Sequence, residues 1–331
     1  MAIAFEDFSV GQVIEGEPVT VSREEMVAFA REYDAQAFHL DEEAARATFV
    51  GRLIGSGWHT AAVGMRLLQR DVFRGSSSMG SPGISRLRWL RPMLPGEAIR
   101  ISVTVESVKA SASKPDRGFV GFSMRVLDAR AETVMSQHFS VMFARRGAEA
   151  LPPRSVILPE AGNPPPEPDD AVPVRFLKEA DVGAMRDLGP YLCTADAIMA
   201  FARAYDPQVF HLDPQAARRS HFGGLCASGW QTAAVWMKRL HATFARDVAF
   251  TATTGPVPQL GPSPGFRDMQ WLRPVYAGDT IRYSCALTDK RASASRPGWG
   301  IATHHNTAHN QRGELAFEFT GSVFWQWAPP R

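Results

Sequence analysis

Two stretches of this chain, 172 residues apart, are near copies of each other, and that repeat limits the architecture more than any other feature. "FAREYDAQAFH", Phe29 to His39, and "FARAYDPQVFH", Phe201 to His211, agree at eight of eleven positions. At the same offset "GRLIGSGWHTAA" from Gly51 matches "GGLCASGWQTAA" from Gly223 at eight of twelve, and Gly11 matches Gly183. Further on the offset is 182. It pairs "SPG" at Ser81 with Ser263, "WLRP" at Trp89 with Trp271, and "SASKPDRG" at Ser111 with "SASRPGWG" at Ser293. The second copy is thus ten residues longer, and the added residues are expected in "FTATTGPVPQLG", from Phe250. Such a period is far longer than a solenoid unit. Each copy reads as a complete domain, and 331 residues is the length of about two. The expectation is a fused pseudo-dimer: domains at 1–146 and 174–331, joined by a proline-rich, acidic linker at 147–173 that reads as extended and semi-rigid.

Within a copy the elements follow one order. Ser22 and Glu25 form a capping-box signature, and Met26, Val27, Phe29 and Ala30 follow at helical spacing. Thr194 opens the equivalent helix. A short helix starts at Asp41, or at Asp213 with Pro214 in its first turn. "SGWHTAAVGMRLL", capped by Ser56, is apolar nearly all round, which marks a buried helix. Strands follow: Ile99, Ile101, Val103 and Val105 alternate with other residues, as do Met135, Phe139, Val141 and Phe143, and in copy two Ile281, Tyr283, Cys285 and Leu287. The class is α+β, with each antiparallel sheet wrapped around one central helix.

Each copy also carries an acid five positions before an imidazole: Asp34 and His39, Asp206 and His211. One such pair reads most simply as a helix-end ion pair. Two, each followed by a glycine-bounded helix start, read as a proton-transfer site. The N-terminus of the buried helix offers unpaired N–H groups and the positive end of a dipole. Gly57 and Gly229 are expected to let a ligand approach that backbone. These are the parts of a site that stabilises an enolate, with no need of a metal, nucleophile or redox cofactor.

Both halves resemble the MaoC-like acyl dehydratases, which include the (R)-specific enoyl-CoA hydratases and have the hot-dog fold. The resemblance rests on the doubled Asp/His spacing and on "GRLIGSGWHTAA" and "GGLCASGWQTAA". It implies tandem hot-dog domains and reversible hydration of a trans-2-enoyl thioester, usually of coenzyme A, to the (3R)-hydroxyacyl thioester. It also implies that Asp34/His39 and Asp206/His211 move the protons. Ser56, Gly57 and Trp58, with Ser228, Gly229 and Trp230, would lie against the substrate, its carbonyl held by a backbone N–H of Gly57 or Trp58 and of Gly229 or Trp230. No cofactor is implied beyond the coenzyme A of the substrate. The chain departs from the family pattern at Tyr33 and Tyr205 (Gly), Gln36 and Gln208 (Asn), Trp58 and Trp230 (Met), and Ala62 and Ala234 (Ser). Two other functions fit the same residues: an acyl-CoA thioesterase, and a subunit that binds acyl-CoA without turnover.

Other features are weaker. Trp89 and Trp271 read as strand packing; Arg91 and Arg273 as solvated charges, with coenzyme A phosphates the alternative. His304, His305 and His309 read as surface residues because no carboxylate or cysteine completes a metal set. Three scattered cysteines suggest no disulfide, and Cys226, standing where copy one has Ile54, reads as core. The opening "MAIAFEDFSVGQ" lacks the basic start of a signal peptide, so a cytoplasmic location is expected. A net charge of +2 suggests neither nucleic acid nor membrane as partner, while a homodimer of the pseudo-dimer stays open.

Overall fold

A computed structural model describes residues 3–148, 155–159 and 166–329. The first half opens with β1 (Val13–Glu15) and β2 (Val19–Thr20). Four helices follow: α1 (Arg23–Tyr33), α2 (Ala37–Leu40), α3 (Glu42–Arg46) and the central α4 (Gly57–Asp71). Then come β3 (Gly83–Trp89), β4 (Ala98–Ala110), β5 (Arg117–Leu127) and β6 (Thr133–Ala144). The second half repeats the order from β7 (Met185–Leu192) through α5 (Ala195–Tyr205), α6 (Val209–Leu212), α7 (Pro214–Arg219) and the central α8 (Gly229–Ala252). It ends with β8 (Gly265–Trp271), β9 (Thr280–Ala292), β10 (Trp299–His309) and β11 (Leu315–Gln326).

The strands form one antiparallel sheet in the order β1-β4-β5-β6-β3-β8-β11-β10-β9-β7, with β2 pairing on β4. Ile99, Ile101, Val103 and Val105 of β4 are buried, as their alternation predicts. Each such side chain contributes about 1.5–3 kcal/mol when fully buried. The halves meet at β3 and β8, where Gly83 faces Gln270 and Gly265 faces Arg88. Those two pairings exchange under the 182-residue offset, so the seam lies on a pseudo-two-fold axis, as in an isologous dimer. Gly83 and Gly265 allow it. A Cβ on either would collide with a carbonyl across the seam, that of Met269 or Leu87. Among the described residues, no helix is long and apolar enough to cross a membrane.

The caps form where the sequence places them. Ser22 Oγ accepts from Glu25 N, Thr194 Oγ1 from Ala197 N, and Asp41 and Asp213 cap α3 and α7. The reciprocal half of the Ser22 box is replaced: the Glu25 carboxylate turns to Arg66, at 2.8 Å, and to His59.

The ten added residues, expected in residues 250–261, a stretch that straddles the end of α8, lie mostly before it, in the helix itself. α8 has 24 residues and α4 has 15. Its extra turns carry anchors for the chain that joins the halves. Asp247 accepts from Val172 N and pairs with Arg186, and Thr251 accepts from Val174 N at 2.8 Å. Arg239 pairs with Glu167. Glu167, Val172 and Val174 are thereby docked on the second half.

Candidate active site

Asp34 is the C-cap of α1, and His39 lies on the single turn of α2. Both are buried, at 3% and 5% exposure. The Asp34 carboxylate has three partners. Ser56 Oγ donates to Oδ2 at 2.7 Å, Gln36 Nε2 donates to Oδ1 at 2.8 Å, and His39 Nε2 stands 3.3 Å from Oδ2. Burial pushes the Asp34 carboxyl up, but His39 and the two donors outweigh it and hold it below the ordinary carboxylate value.

His39 Nδ1 lies 2.9 Å from the Ile54 carbonyl, which only accepts, so the Nδ1 proton is assigned there. In the neutral ring the Nε2 lone pair then points at the carboxylate. The gap between them is a place for one transferable proton.

Copy two repeats the arrangement with the imidazole farther from its carboxylate. Ser228 Oγ donates to Asp206 Oδ2 at 2.6 Å, Gln208 Nε2 donates to Oδ1 at 3.0 Å, and His211 Nε2 is 3.6 Å from Oδ2. His211 Nδ1 is fixed on the Cys226 carbonyl at 2.7 Å. Burial pushes the His211 imidazole down against the opposing pull of Asp206. Cys226 is core, as expected, with its thiol pushed far up by burial.

Ser56 also caps α4, accepting from Trp58 N at 3.1 Å, and Ser228 does the same for Trp230 N in α8. Ser56 is fully buried, so it acts from behind Asp34 and does not form part of the cavity wall. The N–H groups of Gly57 and Gly229, first in their helices, have no acceptor among the described residues. They are the donors available to a carbonyl oxygen.

Gly57 and Gly229 line the two cavities, and each also serves a second purpose. Trp89 lies across Gly57: a Cβ there would stand 2.6 Å from its indole, whose Nε1 donates to Gly57 O at 2.9 Å. Trp271 covers Gly229 in the same way. The glycine admits an indole that pins the helix start, and does not leave the backbone open to a ligand from that side. Trp89 and Trp271 are thus more than strand packing. Trp58 is 7% exposed and stacks at 8° on Phe266 from the other half, 5.5 Å between centroids.

Gln36 and Gln208, departures from the family pattern, each hold an aspartate. The signal was their identity at the 172-residue offset. Arg91 and Arg273 are half-exposed and paired with Glu132 and Glu314. The histidine run divides: His305 pairs with Glu318 at 2.9 Å, whereas His304 lines an interior cavity, contrary to its surface reading, with its pKa pushed down to about 4 by burial.

Comparison with known proteins bears on the family and the fold. The MaoC like domain family matches residues 7–120 and 178–308, most of the chain. A putative MaoC domain protein dehydratase from Chloroflexus aurantiacus J-10-fl superposes with a TM-score of 0.78 at 17% identity, covering 99% of this chain and 98% of that one. A conserved hypothetical protein from Mycobacterium tuberculosis with a double hot-dog fold gives 0.72 at 17% identity, covering 98% of each. The uncharacterised protein YdeM of Bacillus subtilis (strain 168) is 24% identical over 140 residues, 42% of this chain and 98% of that protein. The fold is a double hot-dog, and the chain belongs to the MaoC-like domain family.

Proposed function

We propose that this protein reversibly hydrates a trans-2-enoyl thioester, carried on coenzyme A, to the (3R)-hydroxyacyl thioester. The observation that carries the reading is the buried Asp34/His39 pair, with its imidazole tautomer fixed, beside the free Gly57 N–H at a helix start. The thioester oxygen would accept from Gly57 N–H, where the dipole of α4 favours the negative charge of an enolate. A water held between Asp34 and His39 would add its oxygen to C3. One of its protons would stay with the new hydroxyl and the other would pass to the pair. The pair returns one proton to C2, so charge and atoms balance. Dehydration is the reverse. The reading calls for no cofactor beyond the coenzyme A of the substrate, and gives Asp206 and His211 the same roles in the second copy.

The test is the loss of conjugated-thioester absorbance with a panel of enoyl-CoAs. Asp34→Asn and His39→Gln should each lower kcat/KM on the substrate best used by about 10²–10⁴-fold. Release of free thiol with the double bond intact would replace this reading with thioester hydrolysis. Binding without loss of absorbance would leave a non-catalytic acyl-CoA binder.

A further inference from the structure

The two sites have very different spaces behind them. The cavity reached from Asp34 and His39 has about 1030 Å³, and the one at Asp206 and His211 about 180 Å³. Ligand pockets run to roughly 300–1,000 Å³, so the first is at the top of that range and the second below it. Each space lies in the opposite half. The first runs between α8, at Trp236 and Leu240, and the second-half sheet, at Leu287 and Phe319. The second lies between α4, at Met65 and Leu68, and the first-half sheet, at Ile84 and Phe139.

The cause is traceable to a few positions. In the first half Phe8, Phe122, Phe139 and Phe143 pack into one cluster. The Phe8–Phe122 centroids are 5.5 Å apart, Phe8–Phe143 4.7 Å and Phe122–Phe139 5.4 Å. The repeat offsets put Ala180, His304, Gly321 and Trp325 at those positions in the second half, and all four line the large cavity. Two phenyl rings are missing outright, at Ala180 and Gly321. The rim differs too. Val50 beside the first site becomes Phe222 beside the second, its ring 4.7 Å from Phe210.

We infer that the two Asp/His pairs serve different acyl groups: the Asp34/His39 site takes medium- to long-chain thioesters, with the chain seated in the second half. Ala180 and Gly321 set its length limit, while the aromatic cluster and Phe222 close the second site to such chains. The chemistry rests on the hydration reading, but the seat is a matter of binding and can be measured without turnover.

Calorimetric titration with dodecanoyl-CoA, a saturated ester that cannot react by hydration, should show one molecule bound per chain. Ala180→Phe and Gly321→Phe restore the missing rings one at a time. Each should weaken dodecanoyl-CoA binding by at least about tenfold and lower the kcat/KM ratio of trans-2-dodecenoyl-CoA to crotonyl-CoA by a similar factor. A Cβ at Gly321 would lie 3.1 Å from Phe319 Cε2, so Ala180→Phe is the variant less dependent on local adjustment. No binding, two molecules per chain, or undiminished binding in a folded Ala180→Phe variant overturns the inference. One dodecanoyl-CoA bound and displaced by the added rings, with neither trans-2-dodecenoyl-CoA nor crotonyl-CoA hydrated, keeps the seat and rejects the hydration reading.

Discussion

Ser56 joins two tasks in one hydroxyl: it caps α4 through Trp58 N and donates to Asp34 Oδ2. Ser56→Ala removes both. The lost cap costs about 1 kcal/mol of stability. The freed carboxylate oxygen should lower kcat on the best enoyl thioester more than it raises KM. Thermal melting together with steady-state kinetics checks the pair of effects; a variant that melts earlier at full kcat would confine Ser56 to the cap. At this scale much was legible. The Asp/His spacing, the caps and the core reading of Cys226 follow from residue types at fixed offsets. The indoles of Trp89 and Trp271 over their glycines were not, because the contact joins residues 32 and 42 positions apart and leaves no periodic trace.

The β3/β8 seam joins the two halves into one sheet. Gly83→Ala would force a methyl against the Met269 carbonyl. Backbone cannot yield there as a flexible side chain would, so a loss of about 1–3 kcal/mol or more is expected. Denaturant unfolding followed by circular dichroism and tryptophan fluorescence checks it, with the midpoint falling by both probes. An unchanged midpoint would mean the seam contributes little to either half. Alternation along β4 and β6 and the apolar surface of α4 could be read directly. The lengthening of α8 could not: the loop-like composition of residues 250–261 points to an insertion there, whereas most of the added length is helix before it. The docking of Val172 and Val174 on those turns is a tertiary preference that propensity does not encode.

For the molecule as a whole, burial keeps five histidines below the ordinary imidazole value of 6.5: His59, His211, His221, His241 and His304. A depressed imidazole binds fewer protons folded than unfolded, so unfolding takes protons up and stability rises with pH. Their contribution is complete above about pH 6.5. It is lost as pH falls below that, for His304 down to about 4. The denaturation midpoint should therefore drop steeply between pH 7 and 5, and His304→Gln should flatten part of the slope. A midpoint independent of pH across that range would count against these imidazoles being held neutral. The repeat predicted two domains and two sites but not that each site draws its inner wall from the other half, since an offset says which residues correspond and not which face each other.

The seam also bears on how such a chain can change. In a dimer of identical subunits every substitution appears twice, so a ring removed to widen one pocket is removed from both cores. Joining the copies in one chain breaks that constraint. Ala180 and Gly321 can open one half while Phe8 and Phe139 keep the other densely packed, and the packed half supports the hollow one through the shared strand pair. Covalent fusion thus lets pocket size and core density be set separately within a single sheet.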